Sequence, residues 1–118
     1  MSDPVSQFEF LCPADQLVVD QFIELETRLD DQPCWLVATR RPDGPRAWLN
    51  VCPHAGRPLN WAPNQFIRDD QGQLVCAAHG AVFETDGGQC VAGPCQGASL
   101  KAVEVIEEDG QILRRVNG

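Results

Sequence analysis

The chain has 118 residues, of which 43% are hydrophobic, and a formal net charge of −8 at pH 7. This length supports one compact domain with a modest core, so we expect a single domain over residues 1–118. The negative charge argues against nucleic acid and anionic membranes as partners, because binding to either needs clustered Lys and Arg. No segment approaches the ~18 apolar residues of a membrane span, and the amino terminus lacks signal-peptide features. We therefore expect a soluble, cytoplasmic protein.

Short β-type segments separated by turn formers run along most of the chain. Apolar and polar residues alternate over 21–26, and β-forming residues are concentrated in 35–39 and 47–51. Similar segments follow at 73–75, 81–83, 101–106 and 111–116, and the acidic turn 107–110 joins the last two. The sequence contains no convincing long helical pattern and no repeat. It therefore predicts an all-β protein.

Two short motifs between these segments contain residue types that bind transition metals. Cys52-Pro53-His54 is the first, and Cys76-Ala77-Ala78-His79-Gly80 is the second, with 21 residues between His54 and Cys76. Thiolate and imidazole ligands favour zinc, copper or iron-sulfur centres over hard cations. The chain has two histidines, and both lie in these motifs. Cys52, His54, Cys76 and His79 are therefore the candidate metal ligands.

Each motif offers one Cys and one His, and this mixed pairing bears on the identity of the metal. Common structural zinc sites pair like with like, with two Cys in one motif and two His in the other. In a Rieske centre, one iron of a [2Fe-2S] cluster takes two thiolates and the other iron takes two imidazoles. The spacing here resembles the Rieske signature, and a structural zinc site is the alternative.

The resemblance to the Rieske [2Fe-2S] domain family continues past the ligands through about half of the chain. The family pattern CPH-x-G-x-x-L is matched at 52–59, and C-x-x-HG-x-x-F is matched at 76–83. Asp86-Gly87-Gly88 and Gly93-Pro94 follow, and the second of these resembles the loop that shields the cluster from water. The resemblance implies an antiparallel β-sandwich base with a small cluster-binding lobe at about 47–95. It also implies one [2Fe-2S] cluster held by Cys52, His54, Cys76 and His79.

The resemblance further favours the ferredoxin-type branch of the family. Respiratory Rieske proteins carry two more cysteines, which form a disulfide that braces the two ligand loops. Gly56 or Arg57 and Ala78 occupy the corresponding places here. That disulfide is therefore absent.

The four cysteines outside the ligand motifs have simpler expected roles. Cys90 and Cys95 flank Gly93-Pro94 and are close enough in sequence to pair, but a disulfide is not expected in a reducing cytosol. Cys95 is expected to lie near the cluster if it belongs to the shielding loop. Cys12 and Cys34 are expected to be small apolar fillers.

Two positions bear on the reduction potential. Family members carry a Ser just after the second His-Gly and a Tyr two residues later, and their hydroxyls donate hydrogen bonds to sulfur. This chain has Ala81 and Phe83 there. We therefore expect a potential toward the low end of the ~−150 to +300 mV range of Rieske centres.

The large aromatic side chains are expected to pack in the core or the lobe and not to form an electron pathway. Trp61 and Phe66 lie between the ligand motifs and are expected to cover the lobe. The others are Phe8, Phe10, Phe22, Trp35 and Trp48.

The histidine count also constrains function. Both histidines are candidate cluster ligands, so none remains for a two-His-one-carboxylate iron site, and the chain has no phosphate-binding glycine loop. We expect a non-enzymatic, soluble Rieske-type ferredoxin that passes electrons from a reductase to an oxygenase or similar terminal enzyme. We expect it to dock through the histidine-bearing tip of the lobe, near Arg57 and Pro58. The alternatives are a Rieske-like small subunit of a larger reductase, such as nitrite reductase, and a zinc-stabilised interaction module without redox activity.

Overall fold

The computed structural model describes residues 8–29, 32–53 and 56–115. Within these ranges the chain forms ten strands, and a short 3₁₀ turn at Ala14–Gln16. The strands are β1 (Phe8–Pro13), β2 (Ile23–Leu29), β3 (Gln32–Arg41), β4 (Gly44–Leu49), β5 (Ile67–Arg68), β6 (Leu74–Val75), β7 (Val82–Phe83), β8 (Cys90–Ala92), β9 (Val105–Glu108) and β10 (Gln111–Arg115). All neighbouring strands in the sheets are antiparallel. The predicted all-β class is therefore confirmed. No helix in the described ranges has the length and apolar character needed to cross a membrane.

Two three-stranded sheets form the base of the molecule. One has the order β1-β10-β9 and the other has the order β2-β3-β4. Apolar side chains from both sheets, and from the 3₁₀ turn between β1 and β2, pack into one buried cluster: Cys12, Ala14, Leu17, Leu25, Leu36, Ala38, Ala47 and Ile112. This packing of sheet on sheet confirms the predicted β-sandwich base.

The central strand β3 is buried on both faces. Successive side chains of a strand point to opposite faces of the sheet. Leu36 and Ala38 accordingly join the base core, whereas Val37 joins a second buried cluster. Trp48 of the neighbouring strand β4 joins that second cluster, while Ala47 faces the base. Two strands of the base therefore form the floor of the second cluster.

The second cluster lies between the base and a small four-stranded sheet. That sheet has the order β5-β6-β7-β8 and belongs to the segment that connects β4 to β9. The segment leaves the base after Leu49 and returns at Lys101, and the Leu49 amide donates to the Lys101 carbonyl at 2.9 Å. A second bond of 2.9 Å, from the Val103 amide to the Ala47 carbonyl, continues this pairing. The segment 50–100 thus begins and ends at neighbouring points of the base.

Three strands were not predicted, and each has a weak sequence pattern. In β1 the register with β10 shifts between Phe10 and Cys12, so a bulge interrupts the alternation of buried and exposed side chains. Strand β5 has two residues, both exposed, and β8 has three residues. Segments this short carry little periodic signal.

The aromatic side chains divide between the core and the surface. Phe22 and Trp48 are buried, and Phe66 is partly buried against the second cluster, as predicted. The prediction was wrong for three others, because Phe10, Trp35 and Trp61 are 53%, 51% and 63% exposed. Trp35 shares a face of β3 with Val37 but lies beyond the part of that face that the lobe covers. Trp61 lies in a surface loop closed by a hydrogen bond from its amide to the Gln65 carbonyl at 3.1 Å.

Candidate metal centre

The two ligand motifs form loops with the same backbone hydrogen bonds. In the first ligand loop (residues 52–57), the Cys52 amide donates to the Arg57 carbonyl at 2.7 Å, and the Gly56 amide donates to the Cys52 carbonyl at 2.8 Å. In the second ligand loop (residues 76–81), the Cys76 amide donates to the Ala81 carbonyl at 2.7 Å, and the Gly80 amide donates to the Cys76 carbonyl at 2.9 Å. Each cysteine therefore occupies the same place in an equivalent closed turn.

A glycine completes each turn for a conformational reason. Gly56 and Gly80 have φ values of +69° and +75°, in the left-handed region that glycine adopts without a steric penalty. A Cβ built at either position meets no atom of the described chain within 4 Å. The backbone angle, and not crowding by other protein atoms, therefore explains these two glycines.

The candidate ligands differ sharply in exposure. Cys52 and Cys76 are 0% and 1% exposed and belong to the same buried cluster. His79 lies on the surface. His54, the fourth predicted ligand, lies outside the described residues. The described part of the site thus buries both thiols and presents an imidazole to solvent.

One buried amide side chain connects the two ligand loops. The Asn50 Oδ1 accepts a hydrogen bond from the Leu59 amide at 2.8 Å, and the Asn50 Nδ2 donates to the Asn60 Oδ1 at 2.8 Å. The carbonyl of Leu59 in turn accepts from the Ala77 amide at 3.0 Å. Because Asn50 lies two residues before Cys52, and Ala77 follows Cys76, this chain of bonds fixes one loop relative to the other.

A reciprocal pair of hydrogen bonds connects this region to the base. The Glu24 amide in β2 donates to the Asn64 Oδ1 at 2.8 Å, and the Asn64 amide donates to the Glu24 Oε1 at 2.9 Å. The other carboxylate oxygen of Glu24 accepts from the Asn50 Nδ2 at 3.5 Å. The loop between the two ligand motifs is therefore held on strand β2.

A third loop, the Gly-Pro loop (residues 90–98), packs against the second ligand loop. Its ends are joined by a hydrogen bond from the Cys90 amide to the Ala98 carbonyl at 2.8 Å. A Cβ on Gly93 would lie 2.8 Å from the Ala81 Cα, so the two backbones are in direct contact there. This position suits the shielding role that the resemblance implies for Gly93-Pro94.

The Gly-Pro loop also brings two further thiols to the site. Cys90 and Cys95 are buried free thiols, and the Cys95 Sγ lies 3.0 Å from the Cys90 Sγ. Burial raises the pKa of the Cys95 thiol to about 12, and hydrogen bonds with Cys90 and Cys52 contribute to the increase. Of the two predicted apolar fillers, Cys12 is buried as expected, whereas Cys34 is partly exposed.

The turn after β7 is stabilised by one carboxylate. The side chain of Glu84 accepts hydrogen bonds from the amides of Asp86, Gly87 and Gln89 at 2.9, 2.8 and 3.0 Å. Partial burial acts to raise the pKa of Glu84, but these amide bonds together outweigh it and lower the pKa. The ionised form of Glu84 is therefore part of the folded turn.

The donor groups of the described ligand residues fit a mixed-ligand iron-sulfur cluster, because thiolate and imidazole are the ligand types that such a cluster takes. In a Rieske cluster the thiolates and the imidazoles bind different irons. Two buried thiols and an exposed imidazole fit that arrangement.

Sequence reasoning missed Asn50, Glu24 and Glu84, which hold the loops. Asn50 offered a weak signal, as a polar residue at the end of an apolar strand two positions before a ligand cysteine. Glu24 offered no signal in the sequence, because its role depends on Asn64, which lies 40 residues away.

Comparisons with known proteins give one family. A family model described as the Rieske [2Fe-2S] domain matches residues 7–113. The structure is similar to the ferredoxin of carbazole 1,9a-dioxygenase from Nocardioides aromaticivorans IC177, with a TM-score of 0.72 and 20% identity, covering 94% of this chain and 99% of that one. It is also similar to Sphingomonas yanoikuyae B1 ferredoxin, with a TM-score of 0.71 and 20% identity, covering 92% and 98% of the two chains.

The same fold occurs within larger proteins. For the terminal oxygenase of carbazole 1,9a-dioxygenase from Nocardioides aromaticivorans IC177, the TM-score is 0.73 at 18% identity. That match covers 95% of this chain and 30% of the oxygenase chain. No curated protein matches this chain in sequence.

Proposed function

The chain belongs to the Rieske [2Fe-2S] domain family, and from this premise we propose that it is a Rieske-type ferredoxin that carries single electrons from a reductase to an oxygenase or similar terminal enzyme. Its cofactor is a [2Fe-2S] cluster. The proposed ligands are Cys52, His54, Cys76 and His79, with one cluster per chain. Residues 1–118 are proposed to form a single Rieske domain, with the cluster-binding lobe at about 47–95.

The paired ligand loops are the observation that carries this proposal. Two equivalent turns each present a buried thiol, and the second also presents an exposed histidine. This is the arrangement needed if the thiolates hold the inner iron and the imidazoles hold the outer iron of a mixed-ligand cluster. The same arrangement argues against the zinc-stabilised module.

The inner side of the site is buried, whereas its outer side is exposed to solvent. When bound, the cluster supplies a one-electron redox couple. Cys52 and Cys76 hold their sulfur atoms away from water, and the Gly-Pro loop covers the same side. His79 reaches the surface, so an electron leaving on that side crosses the shortest distance to a docked protein. We place the docking surface there, with the exposed Arg57 and Pro58 nearby in the sequence.

Partners are proposed from the neighbours and from charge. One solved neighbour is a complex of reduced oxygenase and oxidized ferredoxin in carbazole 1,9a-dioxygenase, with a TM-score of 0.71 and 21% identity over 92% of this chain. The formal charge of −8 suits basic surfaces on a reductase and an oxygenase, because complementary potentials speed the encounter of redox partners. We propose that the protein is soluble and cytoplasmic, that it binds neither nucleic acid nor membranes, and that it catalyses no substrate chemistry itself.

The proposal is tested by metal analysis and low-temperature EPR of anaerobically purified protein, before and after dithionite. A red-brown protein that gains a rhombic signal with a low average g value is the expected result, and C52S or C76S should abolish the signal. C34S is the matched control, because Cys34 lies in β3 of the base and should not affect the cluster. A colourless protein with stoichiometric zinc and no iron would overturn the proposal.

The electron-carrier role needs its own test. Stopped-flow mixing of the reduced protein with a Rieske-type terminal oxygenase should show rapid oxidation of the cluster, with a rate that falls as salt screens the opposite charges. Transfer to a sirohaem nitrite reductase, and none to an oxygenase, would favour the reductase-subunit alternative.

A further inference from the structure

Two buried thiols face each other at the base of the Gly-Pro loop. The Cys95 Sγ lies 3.0 Å from the Cys90 Sγ, and the Cys90 Sγ lies 3.2 Å from the Ala92 carbonyl oxygen. Both cysteines are free thiols, and Cys90 and Cys95 are 1% and 8% exposed. Neither thiol is among the proposed cluster ligands. The loop therefore contains a pair of oxidisable groups that the function proposed above does not use.

The backbone of the loop holds the two cysteines opposite each other. The Cys90 amide donates to the Ala98 carbonyl at 2.8 Å, and the Ala98 amide donates to the Cys95 carbonyl at 2.9 Å. The Cys90 carbonyl also accepts from the Gly97 amide at 3.3 Å. An S–S bond is about 2.05 Å long, so the two sulfur atoms need to approach by roughly 1 Å more for a bond to form. A small rotation of each side chain covers that distance while these backbone hydrogen bonds stay in place.

The other cysteines are less suitable partners for such a bond. The two proposed ligand cysteines belong to the same buried cluster as Cys90 and Cys95. In the proposed holoprotein, however, both are thiolates bound to iron, so neither sulfur is free to form an S–S bond. Cys12 belongs to the core of the base, and Cys34 lies in strand β3. When the cluster is bound, Cys90 is therefore the partner of Cys95.

We propose that Cys90 and Cys95 form a reversible disulfide that locks the Gly-Pro loop over the cluster when the cellular thiol pool becomes oxidised. Formation of the bond does not depend on the proposed function, whereas its effect on the cluster rests on that function. Gly93, between the two cysteines, is in contact with the backbone of Ala81 in the second ligand loop. A covalent link between residues 90 and 95 limits the movement of Gly93 away from Ala81. The disulfide therefore slows release of the cluster.

The oxidant is a low-molecular-weight disulfide of the glutathione class. The thiolate of Cys95, the more exposed of the two, attacks one sulfur of oxidised glutathione, which breaks that S–S bond and releases one glutathione thiol. The thiolate of Cys90 then attacks the Cys95 sulfur of the mixed disulfide and releases the second glutathione. The two cysteines lose two electrons and two protons, which the oxidant gains as it becomes two thiols. In a reducing cytosol the reverse reactions keep the pair as a dithiol, in agreement with the sequence-based expectation.

The test equilibrates the anaerobic holoprotein in glutathione buffers of increasing oxidised fraction, starting from both the reduced and the oxidised protein. Free thiols are trapped with one alkylating reagent after an acid quench, and the remaining cysteines are reduced and labelled with a second reagent. Peptide mass spectrometry then assigns each label. C34S is the parent protein, because Cys34 is partly exposed and would itself react with glutathione. We expect a Cys90–Cys95 bond that forms reversibly in this parent and that C90A or C95A, made in the same parent, abolishes.

A second measurement tests the effect of the bond on the cluster. An iron chelator in excess removes the cluster, and the decay of visible absorption gives the rate of release in both redox forms of the parent. The disulfide should slow release by about threefold or more, because a cross-link restricts opening of the loop. The same oxidising buffer should not slow release from C90A. This variant therefore separates the bond from a direct effect of the oxidant on the cluster.

The proposal is overturned if both thiols persist in fully oxidised glutathione, or if Cys95 of the holoprotein is linked to a cysteine other than Cys90. A bond that remains in a reducing buffer would also overturn it, because the pair would then not be reversible. Equal release rates in the two redox forms reject the locking of the loop. Failure of the proposed function is seen separately: if the parent shows no mixed-ligand cluster by EPR, the effect on the cluster fails, whereas the mapping still tests the Cys90–Cys95 bond.

Discussion

Gly93 and Ala81 touch through their backbones, so a methyl group at Gly93 would lie 2.8 Å from the Ala81 Cα. No ordinary Cβ contact is that short, and neither partner is a flexible side chain that could move aside. The contact fixes the distance between the Gly-Pro loop and the second ligand loop. Any residue other than glycine at this position must separate them.

The first prediction is that G93A destabilises the protein and speeds loss of the cluster. We expect a cost of about 2–4 kcal/mol, from overpacking together with a left-handed backbone angle. G97A is a matched control, because Gly97 has nearly the same φ, +97° against +96°, but open space around its Cβ. Urea unfolding and the decay of visible absorption measure the two effects. Equal losses in both variants would show that only backbone strain matters.

The second prediction concerns Asn50. N50A leaves the Leu59 amide without its side-chain acceptor and removes the donor to Asn60, so we expect a loss of about 2–4 kcal/mol in stability. The ligand loops should also separate, which makes the Cys52 thiol react faster with a thiol reagent in the metal-free protein. N60A, which removes only one of these bonds, should cost less. A Cys52 reaction rate unchanged in N50A would contradict the positioning role.

The third prediction is a pH dependence set by Glu84. The pKa of Glu84 is lower in the folded protein than in the unfolded chain, where a Glu titrates near 4.3. Its stabilisation is therefore fully present above about pH 4.3 and is lost as the pH falls through the lower folded value. E84Q should cost about 1–2 kcal/mol at pH 7 and progressively less below pH 4. Chemical denaturation at several pH values measures this, with E108Q on the exposed β9–β10 hairpin as the control. A cost independent of pH would exclude the charge as its source.

The fourth prediction concerns Phe83, which stands where family members carry a Tyr and therefore lacks its hydroxyl. F83Y should raise the midpoint potential by roughly 60 mV, the value that about 1.4 kcal/mol of extra stabilisation gives a one-electron couple. Protein-film voltammetry measures it. F22Y adds the same hydroxyl to another buried phenylalanine, beside Phe66, and should leave the potential near that of wild type. A rise in both variants would indicate a general polarity effect.

The fold class could be predicted, and candidate metal ligands could be proposed, because both kinds of signal are local. Strands β2, β3 and β4 alternate or are rich in β-forming residues, and each ligand motif lies within a few consecutive residues. Surface exposure of Trp35 could not be predicted, because it depends on how far the lobe extends over β3. The local alternation of apolar and polar residues gives no information on how far the lobe extends.

The contacts that position the ligand loops could not be predicted from the sequence. The contact between the Cys95 and Cys90 sulfur atoms, 3.0 Å apart, depends on the fold of the Gly-Pro loop, and so does the approach of Gly93 to Ala81. The role of Asn50 likewise depends on the Leu59 and Asn60 groups that fold back to meet it. Side-chain contacts of this kind arise only once the loops are closed.

The hydrogen bond between Leu49 and Lys101 has a consequence for the evolution of this fold. Because the connecting segment departs and rejoins at adjacent points, its length is not set by a distance that it must span across the base. Insertions or deletions in its exposed loops can alter partner choice while the strand pairing of the sandwich stays intact, provided that the residues packed on Val37 and Trp48 are kept. The same geometry makes the segment a natural unit for exchange between related proteins, with Leu49 and Lys101 as the junctions.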